Sequence, residues 1–145
     1  MLFRSTHANT ARLIRPYAGI DELLVALERA GARLGIVTSK MRDAVDLAWD
    51  ALPPPIVWDC VITTEDTEVH KPHPAPLLRA LERVGAVPAQ AVYVGDSPFD
   101  LRAATAAGCA AVGVTWGVFG REALAEEEPL AIVDTPAELL EVLAG

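Results

Sequence analysis

The sequence has little cysteine and no long apolar segment. Cys60 and Cys109 are its only cysteines, each inside an apolar run, which predicts buried thiols of a reduced protein and no disulfide framework. No apolar stretch approaches the roughly 20 residues that a membrane-spanning helix needs. The N-terminal residues interrupt their few apolar positions with Arg, His and Asn, unlike the apolar part of a signal peptide. These features argue against a membrane or secreted protein, and we expect a cytoplasmic location.

Basic residues are also scarce. Lys and Arg number 12 against 20 Asp and Glu, which leaves a net charge of −8. Nucleic-acid binding needs clustered Lys and Arg, so this balance argues against a nucleic-acid partner. The length of 145 residues suits one domain with a core of its own.

Short apolar runs alternate with segments of helical apolar spacing. The runs are predicted strands that end near Ser39, Thr64, Asp96, Thr115 and Asp134. Helices of about ten residues between them indicate crossover connections, and strands that are apolar throughout indicate a sheet covered on both faces. The predicted fold is therefore α/β, a three-layer doubly wound parallel sheet. The final helix should begin with a capping box formed by Thr135 and Glu138.

Polar residues gather where three of the predicted strands end. In an open α/β sheet, ligands bind at the carboxyl ends of the strands. Hydroxyls, lysines and carboxylates together are the chemistry that a phosphate and a divalent cation require. The residues collected in this way are Thr38, Ser39 and Lys40 after the first strand, Glu65, Asp66, Glu68, His70 and Lys71 after the second, and Gly95, Asp96, Ser97 and Asp100 after the third.

Each of these groups also has a simpler interpretation. Asp96 and Asp100 are spaced to supply oxygen ligands to Mg²⁺, or they are acids near the positive end of a helix dipole. Lys71, held between prolines in HKPHPAP, is a phosphate-binding point charge or a solvated surface lysine. Thr38 and Ser39 donate to a phosphate, or they end a strand and cap a helix. His70 and His73 lack metal-ligand spacing with a third donor and are taken as loop residues.

Three segments in order, IVTSK, HKPHPAP and VGDSPFDLRAATAAG, resemble motifs II, III and IV of the haloacid dehalogenase superfamily. The resemblance runs from about Arg15 to the C-terminus and is closest to phosphoglycolate phosphatase-like members. It implies a Mg²⁺-dependent hydrolase of a small phosphorylated metabolite. By the same resemblance, Thr38, Ser39 and Lys71 bind phosphate, with Lys71 stabilising the phosphoryl charge. Asp96 is a catalytic metal ligand, and Asp100 supports the metal directly or through water.

The chain departs from that family at motif I. The D-x-D-G-T sequence of the family's first strand supplies a nucleophilic aspartate, and no D-x-D occurs anywhere here. We therefore expect a sheet that lacks its usual first central strand, with residues 1–14 forming a remnant of the helical cap or an N-terminal helix and residues 15–145 forming the core domain. The flanking strands should pair directly, or a partner chain or second copy should fill the space.

Two functions remain open on these grounds. One is a phosphatase chain that is truncated and inactive by itself. The other is a non-catalytic phosphate- or Mg²⁺-binding or interaction module completed by a partner chain. A phospho-receiver domain is set aside, because it needs an acidic pair near the first strand and its hydroxyl and lysine later, whereas here the hydroxyls and lysine precede the acids.

Overall fold

A computed structural model describes residues 2–4 and 18–144. They form a six-stranded sheet with the strand order β3-β2-β1-β4-β5-β6, in which every neighbouring pair is parallel. A short 3-10 turn, Pro88–Gln90, precedes β4. The elements in chain order are β1 (Leu2–Arg4), α1 (Ile20–Arg29), β2 (Leu34–Val37), α2 (Arg42–Ala51), β3 (Cys60–Ile62), α3 (Ala75–Val84), β4 (Val92–Gly95), α4 (Pro98–Ala107), β5 (Ala110–Val114), α5 (Arg121–Ala125), β6 (Ala131–Val133) and α6 (Pro136–Ala144).

The helices cover both faces of the sheet, and this confirms the predicted fold class. One buried cluster joins α3, α4 and α5 to one face, with Leu77, Leu101 and Leu124 among its members. A second cluster joins α1 and α6 to the other face through residues such as Leu24 and Leu139. Strands enclosed in this way are expected to be largely apolar, as β2 to β6 are here.

The centre of the sheet differs from the expectation. Leu2–Arg4 form β1, which pairs with β2 on one side and with β4 on the other. The prediction of a missing central strand is therefore wrong, as are the predictions that β2 and β4 pair directly or flank a space filled by another chain. Leu2–Arg4 form a strand and not part of a helix, while residue 1 and residues 5–14 lie outside the described part. The division into residues 1–14 and 15–145 stays a prediction.

The unpaired backbone of two neighbouring strands explains this result. Without β1, the facing edges of β2 and β4 would leave rows of buried N–H and C=O groups without partners. An extended segment of only three residues satisfies groups on both edges, with Phe3 opposite Gly35 and Tyr93. This demand of the tertiary structure outweighs a weak helical pattern.

Smaller expectations also have clear outcomes. The Thr135 hydroxyl accepts from the Glu138 backbone N–H at 3.2 Å, which confirms the first half of the capping box, while the Glu138 carboxylate accepts from Asp134 N instead of Thr135 N. Cys60 and Cys109 are buried free thiols. Within residues 18–144, no helix is long and apolar enough to cross a membrane.

Candidate functional site

The centre of the candidate site is a buried ion pair at the carboxyl edge of the sheet. The Lys71 Nζ lies 2.8 Å from Asp100 Oδ1, and the two side chains are 4% and 0% exposed. Lys71 comes from the loop after β3, and Asp100 from the first turn of α4. Because these residues are 29 positions apart, the fold itself brings them together. The interpretation of Lys71 as a solvated surface lysine is therefore wrong.

Local sequence fixes the position of Asp100. Pro98 opens α4, and the Ser97 side chain caps the helix by accepting from Asp100 N at 3.2 Å. The capping oxygen thus belongs to Ser97, which leaves the Asp100 carboxylate to Lys71. The backbone of Gly95 also touches this side chain, since a Cβ added there would lie 2.4 Å from Asp100 Cβ. Gly95 is required for this close approach.

The ammonium of Lys71 has two further acceptors. It lies 3.1 Å from the Tyr93 hydroxyl and 3.4 Å from the Val37 carbonyl oxygen, and the Tyr93 hydroxyl itself donates to that carbonyl at 3.2 Å. Burial lowers the pKa of Lys71, although the charges of Asp100 and Asp96 oppose this change. The lysine is thus held by groups from β2, β4 and α4 at once.

Asp96 follows β4 directly and lies beside this pair. Its negative charge opposes the lowering of the Lys71 pKa by burial. The loop after β5 lies against it, because a Cβ on Gly117 would be 2.4 Å from Asp96 Oδ2. Asp96 is only partly buried, whereas Asp100 is fully buried. The Oδ1 atom of Asp96 is itself buried, so the exposed part of this residue lies elsewhere.

The two predicted phosphate-binding hydroxyls differ in exposure. Thr38 is 4% exposed, and its hydroxyl accepts from Lys40 N at 3.1 Å, so it shapes the turn after β2. Ser39 is exposed at the same strand end. The contact of Lys71 with the Val37 carbonyl puts the ammonium beside the strand end that carries both hydroxyls.

The loop residues of the prediction stay outside this centre. His73 Nδ1 accepts from Ala75 N at 3.1 Å, which is a structural role at the start of α3, and His70 is exposed. The Glu65 carboxylate accepts from Arg42 N at 2.6 Å and so caps α2. Asp66 bonds to Thr63 and to two arginines and braces the same loop.

Sequence reasoning missed Tyr93 and the capping role of Ser97, which both support the ion pair. Tyr93 is the one hydroxyl-bearing residue in the apolar strand Val92–Gly95, and that isolated polar atom is the signal that would have identified it. Ser97 was noted as polar, but its role as the cap of α4 follows from the proline directly after it. Gly117 has no local signal, because its contact is with a distant loop.

The oxygen donors fit Mg²⁺ in a restricted way. No group of three or more His, Cys, Asp or Glu able to hold a metal occurs within residues 2–4 and 18–144. Two neighbouring carboxylates are nonetheless a suitable protein contribution for Mg²⁺, which keeps several waters and takes oxygens from a substrate phosphate. Glycine backbone against both carboxylates, at Gly95 and Gly117, limits the directions in which they can turn.

Comparison with known proteins finds one family. A family model described as haloacid dehalogenase-like hydrolase matches residues 1–114. A pyrophosphatase PpaX of Anoxybacillus flavithermus is 36% identical over 137 residues, covering 94% of this chain and 64% of that protein. A phosphoglycolate phosphatase of Salmonella typhimurium is 40% identical over 124 residues, covering 86% of this chain and 49% of that protein. The chain thus spans less than two thirds of the length of these relatives.

Comparison with solved structures agrees with this family. A crystal structure described as a predicted phosphoglycolate phosphatase from Haemophilus somnus superposes with a TM-score of 0.82 at 33% identity. The match covers 89% of this chain and 57% of that one.

Proposed function

Because the chain belongs to the haloacid dehalogenase-like hydrolase family, we propose that it forms the core of a Mg²⁺-dependent phosphatase of a small phosphorylated metabolite. The observation that carries this proposal is the buried Lys71–Asp100 ion pair with Asp96 beside it, at the carboxyl edge of a parallel sheet. A metal-assisted phosphate site needs carboxylate oxygens to hold the cation, and Asp96 adds one at a strand end beyond the carboxylate that is paired with Lys71.

The substrate class follows from the relatives and from the chemistry of the site. The names of two relatives, a pyrophosphatase and a phosphoglycolate phosphatase, both denote enzymes that act on small phosphate-bearing molecules. A hydroxyl and an ammonium recognise a phosphate group through its oxygens and its charge, whereas the two carboxylates would act on it only through a bound cation. They carry no information about the rest of the substrate, so we limit the proposal to the phosphate end.

Each residue has a proposed task. Asp96 and Asp100 hold Mg²⁺, which when bound polarises phosphate oxygens and offsets their charge. Ser39 donates its hydroxyl to a phosphate oxygen, while Thr38 keeps the turn that presents Ser39. Lys71 orients Asp100 through the 2.8 Å contact and supplies positive charge next to the phosphate.

We further propose that the chain does not turn over substrate by itself. The resemblance to the family implies a nucleophilic aspartate on the first strand, and β1 reads Leu-Phe-Arg. The first acidic residue of the chain is Asp21, well after β1 and within α1. Without a carboxylate nucleophile there is no covalent route, and electrostatic stabilisation alone gives only a small residual rate.

The lack of an acidic residue on β1 also favours a second candidate, a module that binds Mg²⁺ or phosphate without catalysis. It has the charged groups of the site and lacks the nucleophile. A partner chain or second copy that completes such a module remains part of this candidate, with the outer strands β3 and β6 as the sheet edges available for pairing.

Two measurements on the purified chain test these proposals. The first is Mg²⁺ binding by titration calorimetry for the natural chain, for Asp96→Asn and for the control Asp46→Asn, which changes an exposed carboxylate on α2. We expect Asp96→Asn to weaken binding by about tenfold or more and the control to leave it unchanged. Equal binding by all three would contradict the metal role of Asp96.

The second measurement is phosphate release from p-nitrophenyl phosphate with Mg²⁺. We expect no release above background from the natural chain. Turnover that Asp96→Asn removes and Asp46→Asn preserves would show that a residue of this chain serves as nucleophile, and it would overturn the proposal of inactivity. A chain that binds Mg²⁺ and phosphate without release matches both candidates, which are then separated by adding a segment that carries D-x-D-G-T.

A further inference from the structure

The loop that joins β5 to α5 lies directly against the Asp96 side chain. A Cβ built on Gly117 would be 2.4 Å from Asp96 Oδ2, 2.5 Å from its Cβ and 2.7 Å from its Cγ. Real Cβ atoms do not approach other heavy atoms this closely, so a residue with a side chain at position 117 would push the carboxylate or the loop away. The requirement for glycine here is one of space.

An aromatic contact connects the same loop to α4, the helix that carries Asp100. Phe119 meets Phe99 edge to face, with ring centroids 6.3 Å apart and an interplanar angle of 81°. Phe99 lies in the first turn of α4, next to Asp100. The loop is therefore fastened to α4 just beyond Asp96, and Gly117 lies against Asp96 between the end of β5 and this contact.

We propose that Gly117 is a positioning residue for Asp96, with the Phe99–Phe119 contact holding its loop in place. This inference rests on the proposed role of Asp96 as a Mg²⁺ ligand. An aspartate side chain has several staggered rotamers, and a ligand that must first lose that freedom binds its metal more weakly. Backbone packed against Oδ2 and Cγ limits the rotamers of Asp96 before any metal arrives.

A second glycine of the same loop supplies the matched control. A Cβ on Gly120 meets nothing within 4 Å, and its φ of −78° is one that alanine adopts without strain. Gly120→Ala thus makes the same chemical change three positions away without touching Asp96. A general effect of stiffening the loop should appear in both Gly117→Ala and Gly120→Ala. A difference between the two variants therefore reports the contact with Asp96.

The first test measures Mg²⁺ affinity of the full 145-residue chain by titration calorimetry. We expect Gly117→Ala to weaken binding by about tenfold or more, the effect typical of losing a group that orients a ligand, and Gly120→Ala to change it less than twofold. Phe119→Ala removes the ring contact without adding atoms, and we expect a smaller loss. Unchanged affinity in Gly117→Ala overturns the inference. If that variant does not fold, unchanged affinity in Phe119→Ala overturns it.

The second test needs no metal. In an Asp96→Gly background the side chain that Gly117 contacts is absent, so adding Gly117→Ala should lower the thermal midpoint much less than it does in the natural chain. Equal losses in the two backgrounds would mean that residue 117 does not act on Asp96. If the natural chain binds no Mg²⁺, the proposed function fails, and this cycle still decides whether Gly117 positions Asp96.

Discussion

Replacing Lys71 with methionine should destabilise the protein strongly, because it leaves a carboxylate in the interior without its cation. Asp100 is 0% exposed, and Lys71 lies 2.8 Å away with 4% exposure. Removing one partner of a buried pair costs about 3–5 kcal/mol, most of it from the uncompensated charge. In a domain of this size that cost corresponds to a fall of about 10 °C or more in the midpoint of thermal unfolding.

A double variant tests whether the loss comes from the uncompensated charge. Lys71→Met with Asp100→Leu removes both charges, and an apolar pair of similar volume should recover most of the loss of either single variant. Circular dichroism melts and urea titrations of the four proteins measure each of these quantities.

Lys40 is the chain's other lysine and provides the control. It is partly exposed, and Lys40→Met should change the free energy of unfolding by less than about 1 kcal/mol. The reasoning is refuted if Lys71→Met costs no more than this control, or if the double variant is no more stable than either single variant.

Two further predictions concern groups near or beneath the site. Tyr93→Phe removes the hydroxyl between Lys71 and the Val37 carbonyl, so two buried groups lose a hydrogen-bond partner. We expect the free energy of unfolding in urea to fall by about 1–3 kcal/mol. A stability equal to that of the natural chain would contradict the bridging role. Burial raises the pKa of the Cys60 thiol to about 11. At pH 8 this thiol should therefore resist iodoacetamide in the folded protein and react once urea unfolds the chain. Rapid labelling of Cys60 in the native protein, seen by mass spectrometry, would contradict this prediction.

Periodicity was enough to predict most of the fold. The apolar runs at Leu34–Val37 and Val92–Gly95 and the helical spacing between them follow from one chain segment at a time. The strand Leu2–Arg4 does not, because its apolar run ends at Phe3 and Arg4 interrupts the pattern. What makes this segment a strand is the pair of edges on β2 and β4, which only the assembled sheet presents.

The residues of the site also divide into those that local sequence predicts and those that only tertiary contacts determine. Lys71, Asp96 and Asp100 were predicted from their places after strands, since the carboxyl ends of parallel strands meet at one edge. Tyr93 was missed because its ring belongs to the core and only its oxygen reaches the site. Gly117 was missed because its requirement is a distance between two loops, which neither loop encodes alone.

We expect phosphate binding at the proposed site to depend on Mg²⁺, because of the charges of its side chains. Lys71 contributes one positive charge, and Asp96 and Asp100 contribute one negative charge each, so the three residues together are negative and repel a phosphate. A divalent cation on the two carboxylates would reverse that sign, and the interaction is strong in a partly buried site, where screening is weak. We therefore predict that inorganic phosphate shifts the thermal midpoint upward only when Mg²⁺ is present, and that Asp96→Asn removes most of this shift. An equal shift by phosphate without Mg²⁺ would mean that Lys71 and Ser39 bind the anion alone, and that the carboxylates beside them serve the fold and not a metal.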